Sequence, residues 1–546
     1  MRDLTDESPP APAAKGGGVA VSLDDALAHR ALPLGDRVMS DRPFRLPCRF
    51  WHPTPRLVTP DAFDAELARR HGDALARRAE ARAPEAISCR TWRPQVAAAV
   101  LAGMAGALAT ALVLAFGPTV RALMVAAFAA VAANLALRTM ALLALLRARG
   151  APPTAPLPPD PPVITLLVPV ADEAAIVPDL LRRLARLDYP PDRLDVIVLA
   201  EAWDTSTVAA LRAADPPLPF RCLVVPDGHP RTKPRAMNYA LPFARGEIVG
   251  VYDAEDAPAP DQLRRVAARM AAAPPEVACL QGLLDYYNAG RNWMSRCFAI
   301  EYAGWFRLVL PGLARLGLVI PLGGTTLFFR RAALEAVGGW DAHNVTEDAE
   351  LGVRLARAGY RTEVIETVTL EEANAAPGPW VRQRSRWMKG YVMTWAMHAR
   401  RPVALWRDLG TKRFLGMHLL FLGAVANALL MPVLWTLAVI PFGLPHPARA
   451  WLPPEADAWL AAVPMGLTLC VMGLSLYALR APEHRSLRWW VALTEPYFAL
   501  ASVAVVKAMW ELVAAPFHWD KTAHGRFGGV TDEEARPATP PRRTEA

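Results

Sequence analysis

Three carboxylate groups stand where hydrophobic runs stop: Glu201 to Asp204, Asp253-Ala254-Glu255-Asp256, and Thr346-Glu347-Asp348. The second follows an apolar run ending at Tyr252, and in a strand-like exit Asp253 and Glu255 point to the same side. Two carboxylates aimed at one point repel unless a cation lies between them. Mg²⁺ or Mn²⁺ suits that place, since these ions take carboxylate oxygens and bridge to phosphates with few protein ligands. Taken alone, the same residues describe a solvated acidic turn ahead of a helix opening near Asp261. Thr346-Glu347-Asp348 starts a helical pattern through Leu351 and Leu355 that stops at Gly359. Thr346 is placed to cap it, and acids in the first turn meet the helix dipole favourably. That explains the residues structurally. The chemical alternative makes Asp348, held ionised by the dipole, a general base toward an acceptor hydroxyl.

Two basic groups complement the acids. Thr232-Lys233-Pro234-Arg235-Ala236-Met237-Asn238 opens a helix whose N-terminus and Lys233 suit a phosphate, or else it is an ordinary solvated helix start. Gln383-Arg384-Ser385-Arg386-Trp387 gathers two guanidinium groups, an amide and an indole within one or two turns. Arginine pairs with phosphate in a bidentate way, and Trp387 offers a flat face to a sugar ring. A basic juxtamembrane helix with an interfacial Trp has the same composition.

The elements that must position these groups read as an α/β layer. Val163 to Val170 and Leu194 to Leu199 are apolar, β-branched runs typical of strands buried on both faces. Arg221 to Val225 and Glu247 to Tyr252 continue the series, with helices predicted over Glu173–Leu187, Pro234–Phe243 and Asp261–Ala272. Such alternation predicts a mostly parallel, Rossmann-like sheet with ligands at the carboxyl ends of its strands, where the acids stand.

Residues 163–405 form this predicted domain, and membrane-length apolar runs flank it. Val96–Phe116 and Val120–Leu146 are each long enough for the ~20 residues needed to span a bilayer and read as a hairpin within 94–148. Basic residues at both ends of the hairpin put that side in the cytosol. Residues 149–162 are a Pro-rich linker. Trp293, Trp305 and leucines interleaved with Arg296, Arg307 and Arg315 predict interfacial helices near 292–322, with a buried core helix as the alternative. Within 414–515, Phe414–Ile440 and Trp459–Leu479 are further spans. Trp489–Ala515, interrupted by Pro496 and carrying Lys507 and Glu511, reads as interfacial or re-entrant. Residues 1–20 and the tail of 516–546 are expected to be disordered. Residues 21–93 read as a small cytosolic module, a spacer or a docking unit.

Totals agree with a membrane protein that has a large water-facing part: 546 residues, 53% hydrophobic, 21% charged, net charge +8. Without zinc-finger spacing or a basic helix array, the charge fits anionic lipid and the positive-inside rule better than nucleic acid. Six scattered cysteines with no C-x-x-C predict neither a zinc site nor a disulfide framework, and so a reducing compartment.

In their order, these motifs resemble glycosyltransferase family 2, specifically the membrane-embedded processive β-glycan synthases of the cellulose, chitin and hyaluronan synthase type. Asp253-Ala254-Glu255, Thr346-Glu347-Asp348 and Gln383 to Trp387 resemble that family's D×D, (T/E)ED and Q(Q/R)×RW series. Val168-Pro169-Val170 with Asp172-Glu173, and Lys233 to Asn238, resemble its VP-x-x-NE and TK-x-x-x-LN steps. Glu255 replaces the usual second Asp, which leaves Asp256 open as the metal partner. Glu201-Ala202-Trp203-Asp204 replaces paired Asp.

The resemblance implies a type-A glycosyltransferase fold and a divalent metal on Asp253 and Glu255. It implies Asp348 as base, and Glu173, Glu201, Asp204, Lys233, Asp253, Arg384 and Arg386 around a UDP-sugar. Glu347, Gln383 and Trp387 would meet the acceptor, a growing glycan. A loop bearing Trp519, Lys521, Thr522 and His524 would close over the nucleotide. It further implies a multi-pass protein of the bacterial inner membrane with a cytosolic catalytic domain, in contact with lipid and accessory export proteins. A non-processive transferase acting on a lipid acceptor, and an inactive membrane scaffold or binding module, are the competing readings.

Overall fold

The structure, a computed structural model, describes residues 55–147, 156–216, 218–437, 439–446 and 456–519, with short pieces before residue 41. Within the N-terminal segment expected to be disordered, Arg2–Asp3 pairs in parallel with Arg221 and Cys222 at the edge of the sheet; the rest of that segment, and the tail beyond residue 519 with Lys521, Thr522 and His524, lie outside the described residues.

A curled sheet is the scaffold. Its strands are β1 (Ile164–Val170), β2 (Leu194–Glu201), β3 (Arg221–Val225), β4 (Ile248–Val251), β5 (Ala257–Pro258), β6 (Val277–Tyr286), β7 (Leu327–Arg330) and β8 (Arg361–Glu371). They lie in the order β3-β2-β1-β4-β7-β6-β8-β5. β1 pairs in parallel with β2 and β4, and β2 with β3, while β7 runs antiparallel between β4 and β6. β6 and β8 again pair in parallel. The four runs read as buried strands form the parallel half. This is the expected α/β fold with a mostly parallel sheet.

Several boundaries moved for local reasons. The helix predicted over Glu173–Leu187 is only Val177–Leu184, because the chain first turns through Asp172 at φ 53° and Pro178 then occupies the first helical turn. The stretch near 292–322 is one run rather than two interfacial helices. Trp293–Gly304 continues through a π-turn at Trp305–Val309 into Leu310–Arg315. Its apolar face is buried, and Gly312 meets Ala141 of the long helix Phe116–Arg147 so closely that a Cβ would lie 2.4 Å from the Ala141 Cβ. The run wedges the sheet against the membrane-length helices, closer to the core alternative.

Among the described residues, four helices are long and apolar enough to cross a membrane: Pro94–Leu114, Phe116–Arg147, Pro402–Leu437 and Pro482–Ala514. Ala456–Ala478 is a further apolar helix. Pro402–Leu437 breaks at Gly410, whose φ of 70° favours glycine. Pro496 does not interrupt the last helix. A 3₁₀ stretch, Pro482–Leu493, leads into an unbroken Thr494–Ala514, and Pro496 sits harmlessly in its first turn.

The module ahead of the hairpin packs on the sheet layer. Its helix, Pro60–Glu80, starts at Thr59, whose side chain accepts the Ala62 N–H. Asn238 donates to the carbonyls of Ala79 and Trp340, which ties the two units together.

Candidate active site

A single cavity of about 830 Å³ runs from the carboxyl ends of β1, β2 and β4 to the space between the long apolar helices. Glu173, Glu201, Lys233, Asp253, Glu255, Glu347, Asp348, Gln383, Arg384, Arg386, Trp387 and Trp519 all line it. Three acidic stretches, 52 residues apart from Glu201 to Asp253 and 94 from Asp253 to Glu347, thus share one space with the Gln383–Trp387 wall.

The centre is a chain of contacts. Lys233, first residue of the helix Lys233–Ala240, forms an ion pair with Asp253 and donates to the Gly324 carbonyl at 2.6 Å. A Cβ on Gly324 would lie 3.5 Å from Asp348 Oδ2. Burial opposes the Lys233 charge, yet Asp253, Glu347 and Asp256 hold it protonated well above the usual lysine range. Glu255 is pushed well up by burial and then by the Asp253 charge. Glu371, at the end of β8, is raised by burial and by the Asp256, Glu255 and Asp253 charges. Negative charge is therefore crowded here beyond what Lys233 neutralises.

Among the described residues no three His, Cys, Asp or Glu side chains form a ready cage for an ion. Asp253 and Glu255, acidic, crowded and facing the cavity, fit a divalent ion whose other ligands come from a diphosphate. Asp256 does not line the cavity. It is buried beneath the loop, where it accepts from the Asp253 N–H at 2.8 Å and from the Thr325 hydroxyl.

Asp348 opens the helix Glu347–Arg357 and accepts the Ala349 N–H at 2.8 Å. Burial outweighs the Ala349 N–H, Lys233 and Arg386, and raises its pKa above the ordinary aspartate value, where the helix start alone would lower it. Glu347 beside it is pushed up to about 8 by burial and the Asp348 charge. Thr346 occupies the cap position without capping, its hydroxyl donating to Asn344 instead.

The two arginines of the wall part company. Arg384 makes a bidentate pair with Glu301, both bonds 2.7 Å, and lies 4.4 Å over the Trp387 ring. Tyr497 donates to the same Glu301 and accepts from the Trp380 indole. Arg384 thus lines the cavity with its guanidinium held by Glu301 and stacked on the indole. Arg386 makes one hydrogen bond, to the Val345 carbonyl at 3.3 Å, and stacks 4.3 Å over Trp519. Asn374 donates to Gln383 at 3.0 Å.

At the far end Glu201 is buried and pushed up to about 7, burial outweighing the Arg235 guanidinium at 3.3 Å. Asp204 departs from its expected place. It caps the helix Thr205–Ala213 through the Thr207 N–H and accepts the Asp172 N–H at 2.6 Å, so it shapes the turn and does not line the cavity.

Residues 161–390 match the model of "Glycosyltransferase like family 2". The chain carries a family-2 glycosyltransferase domain. Over 286 residues it is 30% identical to the beta-monoglucosyldiacylglycerol synthase of Synechocystis sp., covering 50% of this chain and 58% of that one. It is 24% identical over 287 residues to the cellulose synthase 1 catalytic subunit [UDP-forming] of Komagataeibacter xylinus, covering 50% and 36%. The chain spans about half the length of the curated relatives it matches. Among solved structures, the mannosyltransferase PcManGT of Pyrobaculum calidifontis, in complex with GDP-Man and Mn²⁺, aligns with 71% of this chain and 99% of its own. Its TM-score is 0.48 and its identity 22%.

Sequence reasoning passed over three features of the transferase domain and its surroundings. Glu371 and Glu372 end a strand as Asp253 does, so the same rule would have found them. The Gly323-Gly324-Thr325 turn, a cluster of small residues after an apolar run, was a usable signal. Glu301 was not findable, being one acid in a mixed helix whose partner lies 83 residues on.

Proposed function

We propose that this protein is an inverting hexosyltransferase that takes a sugar from a UDP-sugar, UDP-glucose being favoured by the family resemblance, and adds it to a growing β-linked glycan. The supporting observation is the one cavity that holds Asp253, Glu255 and Asp348 at one end and opens between membrane-length helices at the other. Asp348 removes the acceptor hydroxyl proton as that oxygen attacks the anomeric carbon from the face opposite the diphosphate. A raised pKa makes it the stronger base once ionised. Lys233 and Arg386 face the charge that grows on the departing diphosphate. Asp253 and Glu255 would hold Mg²⁺ or Mn²⁺, which when bound neutralises diphosphate charge. Trp387, held by Arg384, stacks on the acceptor, and Glu347 and Gln383 bond its hydroxyls. The domain faces the cytosol of a bacterium from its inner membrane, with the product passed to export partners.

A second reading has one observation of its own. Beyond Trp387 the cavity is lined by Leu419, Ala424, Met431, Leu434, Leu467 and Val471, a surface suited to acyl chains. The acceptor would then be a membrane lipid with a free hydroxyl, and transfer would stop after one sugar. Membranes incubated with labelled UDP-sugars decide between them. Label in a water-insoluble polymer that lengthens with time supports the glycan; label extracted wholly into organic solvent as one small species overturns it. No transfer from any UDP-sugar overturns both.

A further inference from the structure

The helix Pro60–Glu80 lies outside the transferase domain, yet its last residue reaches the donor end of the cavity. Glu80 Oε1 accepts from Arg235 Nε at 3.2 Å and from the His229 N–H at 3.2 Å. Arg235 is fully buried, and its other nitrogens donate to Glu201 at 3.3 Å and to the Pro226 carbonyl at 2.5 Å. Glu80 therefore grips both the guanidinium behind Glu201 and the loop that carries Arg231. Arg231 in turn stands 5.3 Å over the Trp203 ring, and both line the cavity. The packing admits nothing between them: a Cβ on Gly228 would come within 2.4 Å of Glu80 Oε1 and within 2.2 Å of an Arg235 nitrogen.

A buried guanidinium shared by two carboxylates holds both, and removing either leaves it to reorient toward the other. We propose that Glu80 is a positioning residue of the donor site: through Arg235 and the Pro226–Arg231 loop it sets Glu201, Trp203 and Arg231 to receive the nucleotide. The module ahead of the membrane hairpin is then part of the donor site's second wall, and anything that pulls its helix away weakens nucleotide binding. The inference rests on assigning this end of the cavity to the donor.

The test uses the full chain in nanodiscs and titrates UDP by calorimetry. Glu80→Ala should weaken UDP binding about 10-fold while the transfer rate at saturating donor stays within about 2-fold, a split that general destabilisation would not produce. Glu80→Gln keeps an oxygen that accepts both donors and should lose only about 2-fold. Gly228→Ala removes no contact partner but forces Arg235 and Glu80 apart, so it should reproduce the loss if Glu80→Ala does not fold. Glu66→Ala, on the outer face of the same helix, should bind UDP as the wild type does. UDP binding unchanged in both Glu80→Ala and Gly228→Ala overturns the Glu80 inference alone. A wild type that binds no UDP overturns the donor assignment, and this inference with it.

Discussion

The two ends of the parallel strands treat buried charge in opposite ways. At the amino ends Arg221 lies between Asp64, at 2.9 Å, and Asp195, at 2.7 Å, and also donates to the Phe243 carbonyl. Thr165 donates to Asp195, Arg245 reaches Asp61 at 2.6 Å, and Arg30 closes on Asp64 at 2.7 Å. Burial pushes Asp64 up, but three guanidinium groups oppose it. At the carboxyl ends Glu255, Glu347, Asp348 and Glu371 are all raised by burial, with mainly Lys233 and Arg386 to answer them. Satisfied charge staples the N-terminal helix to the sheet. Carboxylates crowded together with few cations to answer them mark a place where a cationic ligand would complete the balance.

The sharpest way to break this contrast is to neutralise one acid at the carboxyl ends. Asp348→Asn should lower sugar transfer about 10³-fold or more, the scale of a lost general base. UDP affinity and thermal stability should stay near wild type. Wild-type turnover in purified membranes would remove the base assignment and much of the contrast.

Neutralising an acid at the other end should do the reverse. Asp64→Ala leaves Arg221 and Arg30 short of a partner in a buried place, which should cost about 3 kcal/mol of stability. Transfer per folded molecule should be nearly unchanged. Denaturant unfolding together with active-site titration checks both halves, and a stable but inactive variant would contradict the assignment.

Chelation bears on the same end from outside. Stripping divalent ions should cost about 10²-fold in transfer, as expected when charge on a leaving diphosphate goes uncompensated. Mg²⁺ or Mn²⁺ should restore it. Full activity in chelator would leave Lys233 and Arg386 as the whole counter-charge.

How far the sequence carried is itself instructive. The strands β1 to β4 were legible because burial on both faces leaves mostly β-branched and aliphatic residues there. Asp253, Glu347 and Asp348 were legible as neighbours in one cavity because the first leaves a strand at its carboxyl end and the other two open a helix. What escaped was set by partners distant in the chain. Arg384 and Arg386 are equivalent as sequence, and only Glu301 and Tyr497 make one a brace and leave the other with a single hydrogen bond. Asp204 looked like part of a nucleotide site because its capping of Thr207 and Asp172 requires the fold to be known. Pro496 looked like a break until its place in the first turn was visible.

The smallest expected effect tests the contrast most directly, because it needs no turnover. Glu347 has a folded-state pKa pushed up to about 8, above the ordinary glutamate value. The folded protein therefore holds that proton more tightly than the unfolded chain. Its favourable contribution is complete below the ordinary glutamate range and is lost as pH rises through about 8. Glu347→Gln cannot ionise, so it should match the wild type near pH 4.5 and melt about 2–4 °C higher at pH 8.5, in the absence of nucleotide and metal. Adding Mg²⁺ alone should narrow the gap, since a bound cation supplies the missing positive charge and stabilises only the folded state. Parallel melting curves for the two proteins at every pH would mean that Glu347 is already balanced, and the carboxyl ends would then resemble the amino ends after all.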